Sequence, residues 1–575
     1  MKQILFAAAL TLLFACRPAD PQADADAAVA AALRTDAEWL CERLPAEGRA
    51  LRLRFDWSDR SEAGYASRIA AWEAAAAWAG ARDTLAQPAR LHGAAIRTFA
   101  RQEAARLKLE RAAFALHPVW GIQAVGPQFL VESHVLDERE DCNAFLLRLR
   151  KLPDAVADAH TRARAQVAAG TRPHPRVLAQ SRDQMRAFAA LDPLENPVYQ
   201  SLALRLSRMD PVQVNEYQAV DYLTQTSAYL EESVYPAYRR AAAWLDSLLA
   251  GPAADLPATD YATDYAMHLA YACDGDAPDA AMLHDLARRQ ADSLLALMVP
   301  LLDEVVPDSR ALPIAQRLRL WLAGRDSLDR QTALRFCRQH AAQMQRYAEG
   351  LLGRPVAEPW AIQARYPLPG QTWEAARYLP PTADGSHPGR LLIDLEQDPR
   401  DLPLLVEAYA IPGLDTWYQW TAPDSQPGLA LRLRRFVGWE AAWRTYAVQT
   451  TAEDLGLHGG PVRLTYLHRQ LQQWVRLLVD TGLHTQGWTL EEGERAFGDR
   501  CGLAPEAAAQ AVDRCLALPG SAASEPWGAY RLWQLRQLVS SMPGQVFYLQ
   551  EFHTKILDLG PVPLQLLDAT MWHKP

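Results

Sequence analysis

A hydrolytic zinc needs about three protein donors, imidazole nitrogen or carboxylate oxygen, and an open position for water. His387, Glu407, Glu440 and His484 are the side chains that such a site would draw on here. Two stretches add polar groups that suggest a pocket: Tyr378 and His387 in a turn-rich segment, and Arg476, Asp480 and His484 further on. Asp480 and His484 are four residues apart, but Gly482 lies between them and is placed to stop a helix, so spacing alone does not put them on one face. His484 could act as base, ligand or substrate hydrogen-bonder, or bond a buried carbonyl as a structural histidine. Trp417, Tyr418 and Trp420 could form a stacking surface or simply pack in a core. No Ser-His-Asp pattern, phosphate loop or dinucleotide fingerprint offers another enzyme class.

The most informative stretch is Leu404 to Trp420, LLVEAYAIPGLDTWYQW, with a Pro-Gly break inside a helix-like pattern. It resembles the H-E-x-x-P-G-H zinc-peptidase helix of the bacterial domain of unknown function family 885. Pro412 and Gly413 keep the register, Ala408 and Leu414 stand at the histidine positions, and Tyr409 replaces the glutamate. Methyl and isobutyl groups donate nothing, and a phenol of pKa about 10 is only about 0.1% ionised at pH 7. The family's second acidic block, resembling E-G-W-A-L-Y-A-E, is matched by Ala441 to Val448 without either acid. Glu440 lies one position too early and is expected on a solvated helix face. Pro519-Gly520-Ser521 stands for a PGQ-like turn.

Further blocks occur in the family's order: EESVYPAYRR (Glu231 to Arg240), LHDLARRQ (Leu283 to Gln290), YLPPTADGSHPG (Tyr378 to Gly389), LLVDTGLHTQGWT (Leu477 to Thr489) and FHTKILDLGPVPLQLLD (Phe552 to Asp568). The resemblance implies an all-α body around a metallopeptidase-like cleft. Loss of the ligands implies a noncatalytic homologue without a cofactor, holding a peptide-like or envelope ligand. The alternative is a metal-dependent hydrolase with relocated ligands, for which zinc would be the cofactor.

At the amino terminus, Lys2 precedes an apolar run from Ile4 to Ala15 that ends at Cys16. A dozen residues are too few for the roughly 20 of a membrane-spanning helix, so residues 1–15 read as a signal peptide. Leu13-Phe14-Ala15-Cys16 resembles a lipobox, making Cys16 the lipid attachment site and the membrane a partner through that anchor. Phe14 is bulkier than the usual residue there, which leaves simple cleavage as the alternative. Arg17, in place of a retention-type aspartate, favours the outer membrane. Residues 16–34, rich in Ala, Asp and Pro, read as a tether, and 35–575 as one helical domain.

Composition supports a globular chain, with 49% hydrophobic and 22% charged residues, while a net charge of -9 argues against nucleic acid as a partner. Oligomeric state has no signal. Six cysteines besides Cys16 permit three disulfides without requiring them, and Cys501 with Cys515 is the nearest local pair. Helices are expected near 68–80, 88–114, 142–168 and 212–232, with Pro236 opening a fresh one. Leu464, Leu467, Leu471, Trp474, Val475 and Leu478 stripe another helix. Thr489 with Glu492 forms a capping-box pattern, and Pro505 sits at a first helical position. The convincing strand is RLLIDL, Arg390 to Leu395, expected in a short hairpin or at a sheet edge near 378–395.

Overall fold

The computed structural model describes residues 21–80, 89–171, 173–251, 261–324, 327–353, 355–356, 361–370, 374–420, 429–544 and 546–567. Cys16 and the signal-peptide segment lie outside them. The described chain is predominantly α-helical with one small sheet. None of its described helices is long and apolar enough to cross a membrane.

The expected helices are present at Glu62–Gly80, Ala89–Ala112, Arg139–Ala168 and Glu216–Tyr229. Caps set two of the starts. Glu138 exchanges hydrogen bonds with Asp141, and Asn215 with Gln218, each satisfying backbone N–H groups that a first helical turn leaves unpaired. Pro236 does not follow a break. A wide turn at Leu230–Val234 joins the preceding helix to Tyr235–Ala250, accommodating a ring that has no N–H and would crowd the preceding turn. The Thr489/Glu492 capping box and the helix-opening Pro505 are as expected.

The structure also corrects the tether and the helix stop at Gly482. The tether is in part folded: Pro21–Leu33 is a helix whose Val29, Ala32 and Leu33 are buried in a core, since its Ala-rich composition favours helix and its apolar side chains find partners. Gly482 does not end its helix, which runs Gly460–Thr485. A Cβ on Gly482 would lie 2.5 Å from Cδ2 of Trp488, so the glycine admits an indole ring and leaves the helix intact.

The sheet has the order β1 (Ala361–Ala364), β3 (Arg390–Ile393), β2 (Ala376–Leu379). β2 and β3 are antiparallel, with Tyr378 opposite Leu391, while β1 runs parallel to β3 with Ile362 opposite Leu391. β2 and β3 thus form the expected hairpin, and the predicted strand is central in the sheet and not at its edge, in keeping with three consecutive buried residues, Leu391 to Ile393.

The central stretch forms two short helices, Leu402–Tyr409 and Leu414–Trp420, joined at Pro412-Gly413. Gly413 is required there, because a Cβ would fall 1.9 Å from the Ala408 carbonyl oxygen. The first helix divides two hydrophobic cores. Leu405 and Val406 belong to one with Leu414 and Trp417, Leu404 and Ala408 belong to the other with Val448 and Leu467, and Tyr409 touches both. The cysteines Cys41, Cys142, Cys273, Cys337, Cys501 and Cys515 are buried free thiols, so the local Cys501–Cys515 disulfide is not formed. Cys501 ends its own helix (Leu490–Cys501), whereas Cys515 lies in the next (Pro505–Ala517), and each sulfur is packed in the core.

Candidate functional site

At the positions of the zinc-like motif the structure offers no metal donors. Ala408 and Leu414 are buried among apolar side chains of different cores. Ala408 and Val448 border a cavity of only about 20 Å³, whose polar lining includes Arg444, Arg469, Gln470, Gln473 and Glu525. The Arg444 guanidinium stands 5.1 Å from the centre of the Tyr409 ring and donates to Glu525 at 2.5 Å, while Arg476 donates to the other carboxylate oxygen at 2.7 Å. Burial pushes the Glu525 carboxyl up, but these arginines outweigh it and hold it well below the usual range. A fixed cation and apolar groups occupy the motif's surroundings, and the residues do not fit a zinc ion. Among the described residues no group of three His, Cys, Asp or Glu could hold a metal.

One position earlier, Glu407 does gather imidazoles. It is fully buried and accepts hydrogen bonds from His340 Nε2 at 2.9 Å, His458 Nε2 at 2.9 Å and the Thr451 hydroxyl at 2.6 Å. Burial raises its carboxyl, but the His340 and His458 contacts prevail and hold it below the ordinary value. His340 comes from the helix Arg330–Leu352, and His458 from the loop before Gly460. Lone histidines more than 50 residues from each other carry no spacing signal, which is why sequence reasoning missed both.

Glu440 is not on a solvated face. It is 9% exposed, receives a two-pronged pairing from Arg435 at 2.9 and 3.0 Å, and accepts the Tyr418 hydroxyl at 2.7 Å. Arg43 lies 6.0 Å from the centre of the Tyr418 ring. Glu440 and Arg435 line a cavity of about 360 Å³ whose walls carry six carboxylates and five guanidinium groups. These are largely matched inside the protein: Asp36 with Arg68 at 2.5 Å, Glu38 with Arg60 at 2.7 Å, and both Glu103 and Glu110 with Arg106 at 2.7 and 2.5 Å. Such a chamber can present donors and acceptors of both signs to a zwitterionic ligand.

The remaining predicted site residues do not assemble into one pocket. Tyr378 is buried and donates to Asp415 at 2.6 Å, whereas His387 lies 3.0 Å from Asp137. Arg476 serves Glu525, as above. Asp480 and His484 do share a helix face, with His484 Nε2 3.7 Å from Asp480 Oδ1, because Gly482 continues the helix. Asp480 accepts from the Tyr265 hydroxyl at 2.9 Å and the Gly520 N–H at 3.0 Å. His484 donates to the Cys515 carbonyl at 3.2 Å and stacks on Tyr265. Trp417, Tyr418 and Trp420 are buried in a core.

A family model described as "Bacterial protein of unknown function (DUF885)" matches residues 45–571. The chain belongs to this family. This DUF885 chain is similar to two solved structures. One, described as "the putative lipoprotein from Colwellia psychrerythraea", has 18% identity and a TM-score of 0.77, covering 94% of this chain and 97% of that one. The other, "a putative lipoprotein of unknown function from Shewanella oneidensis", has 14% identity and a TM-score of 0.60, with coverage of 89% and 93%. At these identities the likeness establishes a shared fold. No curated protein matches the DUF885 chain.

Proposed function

We propose that this DUF885 chain is a cell-envelope lipoprotein that holds a peptide-like ligand in its charged cavity without cutting it. The observation that carries the noncatalytic reading is the pairing of Arg444 with Glu525 beside Ala408 and Val448. Arg444 and Arg476 each take one oxygen of the Glu525 carboxylate, so the acid beside the motif is already satisfied by guanidinium groups and is not free to bind a divalent cation. The peptide class is supported by the two-signed lining around Glu440 and Arg435, which suits an ammonium and a carboxylate on one molecule. Anchoring rests on the lipobox-like Leu13 to Cys16, with Cys16 acylated and Arg17 directing the protein to the outer membrane; the similar structures described as lipoproteins support this reading. One folded domain would follow the anchor.

Metal analysis of the purified, dialysed protein, together with a peptide library incubated with and without zinc, tests the proposal. The expected result is no stoichiometric metal and no cleavage. Stoichiometric zinc with chelator-sensitive cleavage would overturn it in favour of a hydrolase with relocated ligands.

A further inference from the structure

The charged chamber does not stand alone. Arg60 and Glu110 line both it and a larger neighbouring cavity of about 810 Å³, so the two adjoin across those side chains. The outer cavity has an aromatic wall that includes Trp57, Tyr65, Phe114 and Trp120. The wall already holds guanidinium groups of the protein itself: Arg148 lies 5.5 Å from the centre of Trp57, and Arg162 lies 4.9 Å from that of Tyr65. Aromatic faces attract cations through the negative potential above the ring.

Charge bookkeeping in this outer cavity is one-sided, with six carboxylates and three cations in the lining. Each cation is committed to an acid: Arg60 to Glu38 at 2.7 Å, Lys151 to Asp56 at 2.5 Å, and Arg162 to Glu62 at 3.3 Å. Asp154 and Asp158 are exposed, lie one turn apart on the helix Arg139–Ala168, and have no partner among the described residues. Residues four apart on a helix project from the same side. The cavity therefore combines room, aromatic faces and uncommitted negative charge.

We propose that the outer cavity receives the basic side chains of an extended peptide, a lysine or arginine against the aromatic wall with Asp154 and Asp158 as its counter-charges. This deepens the ligand-holding reading above and rests on it. A neutral saccharide would use the same aromatic faces but gain nothing from the two aspartates, and an acidic peptide would be repelled by them.

The test is fluorescence anisotropy on the full chain in detergent, with labelled hexapeptides of alternating Lys-Ala, Ser-Ala and Glu-Ala sequence and with chitotetraose as competitor. The lysine peptide is expected to bind at least about tenfold more tightly than the serine one, and to weaken as salt rises. Asp154→Asn with Asp158→Asn, both at exposed positions, is expected to remove most of that preference while the circular dichroism melt stays unchanged. Equal affinity for the lysine and serine peptides, or a double variant that binds like the parent, would overturn the basic-ligand inference while leaving ligand holding intact. Displacement by chitotetraose with no charge preference would replace the peptide with a saccharide. Absence of binding by every probe would overturn the inference and count against the ligand-holding reading together.

Discussion

His340 Nε2 donates to Glu407 Oε1 at 2.9 Å, tying the helix Arg330–Leu352 to the central helix through a carboxylate that has no exposed surface. His458 completes the arrangement from the other side and is itself almost fully buried, with 2% side-chain exposure against 17% for His340. Removing one partner of a buried charge leaves the other poorly compensated, at a cost of about 3–5 kcal/mol. His458→Ala is expected to destabilise the protein by about 3 kcal/mol, near the lower end of that range. His340→Ala should cost less, because water can reach its place. Chemical denaturation of the two variants checks the order.

The same carboxylate gives an acid-side pH dependence. Its folded pKa is depressed, so its contribution is present above the unfolded value and is lost as pH falls through the folded one. The parent should therefore lose stability more steeply than Glu407→Gln between about pH 5 and pH 3, the window set by ordinary carboxylate titration. Parallel melting curves over that interval would contradict the assignment.

Asp480 predicts the opposite sign. Burial pushes its carboxyl up to about 7, despite the donors Tyr265 and Gly520. The folded state then holds a proton that the unfolded chain has released, so this contribution is complete below about pH 4 and is lost as pH rises toward 7. Asp480→Asn keeps an acceptor for Tyr265 and Gly520 and cannot ionise. It should raise Tm at pH 8, leave Tm at pH 4 nearly unchanged, and flatten the profile between them.

Gly482→Ala should be destabilising even though alanine is the better helix former by about 1 kcal/mol. Its methyl would meet Trp488 at 2.5 Å, and overpacking of this kind costs about 1–3 kcal/mol. The clash disappears if the indole is removed. In a double-mutant cycle, the Gly482→Ala penalty should therefore vanish in a Trp488→Ala background.

Restoring the motif tests the reading of its loss. Ala408→His, Tyr409→Glu and Leu414→His with Val448→Glu should bring back zinc binding only when Arg444→Ala also removes the neighbouring cation. Zinc at a hundredfold excess over Kd would then stabilise the folded state by about 2.7 kcal/mol, visible as a zinc-dependent rise in Tm. The native protein should show none. If the rebuilt variants fold and ignore zinc, the match of Leu404 to Trp420 with a metal helix is wrong.

The helical character, the capping box at Thr489 and Glu492, the strand at Arg390 and the family were all legible in the chain, because periodicity, caps and ordered motif blocks are local in sequence. The absence of donor atoms at positions 408 and 414 was equally plain, since a methyl group cannot become a ligand in any fold. Tertiary structure alone decided where the isolated charges went. Glu440, expected in water, is buried because Arg435 and Tyr418 satisfy it, and Glu407 meets two histidines from distant segments. Gly482, which looks like a helix stop, is a seat for an indole ring. A buried charge or a close approach depends on partners that the chain brings together only by folding. Those partners leave no period or spacing in the sequence.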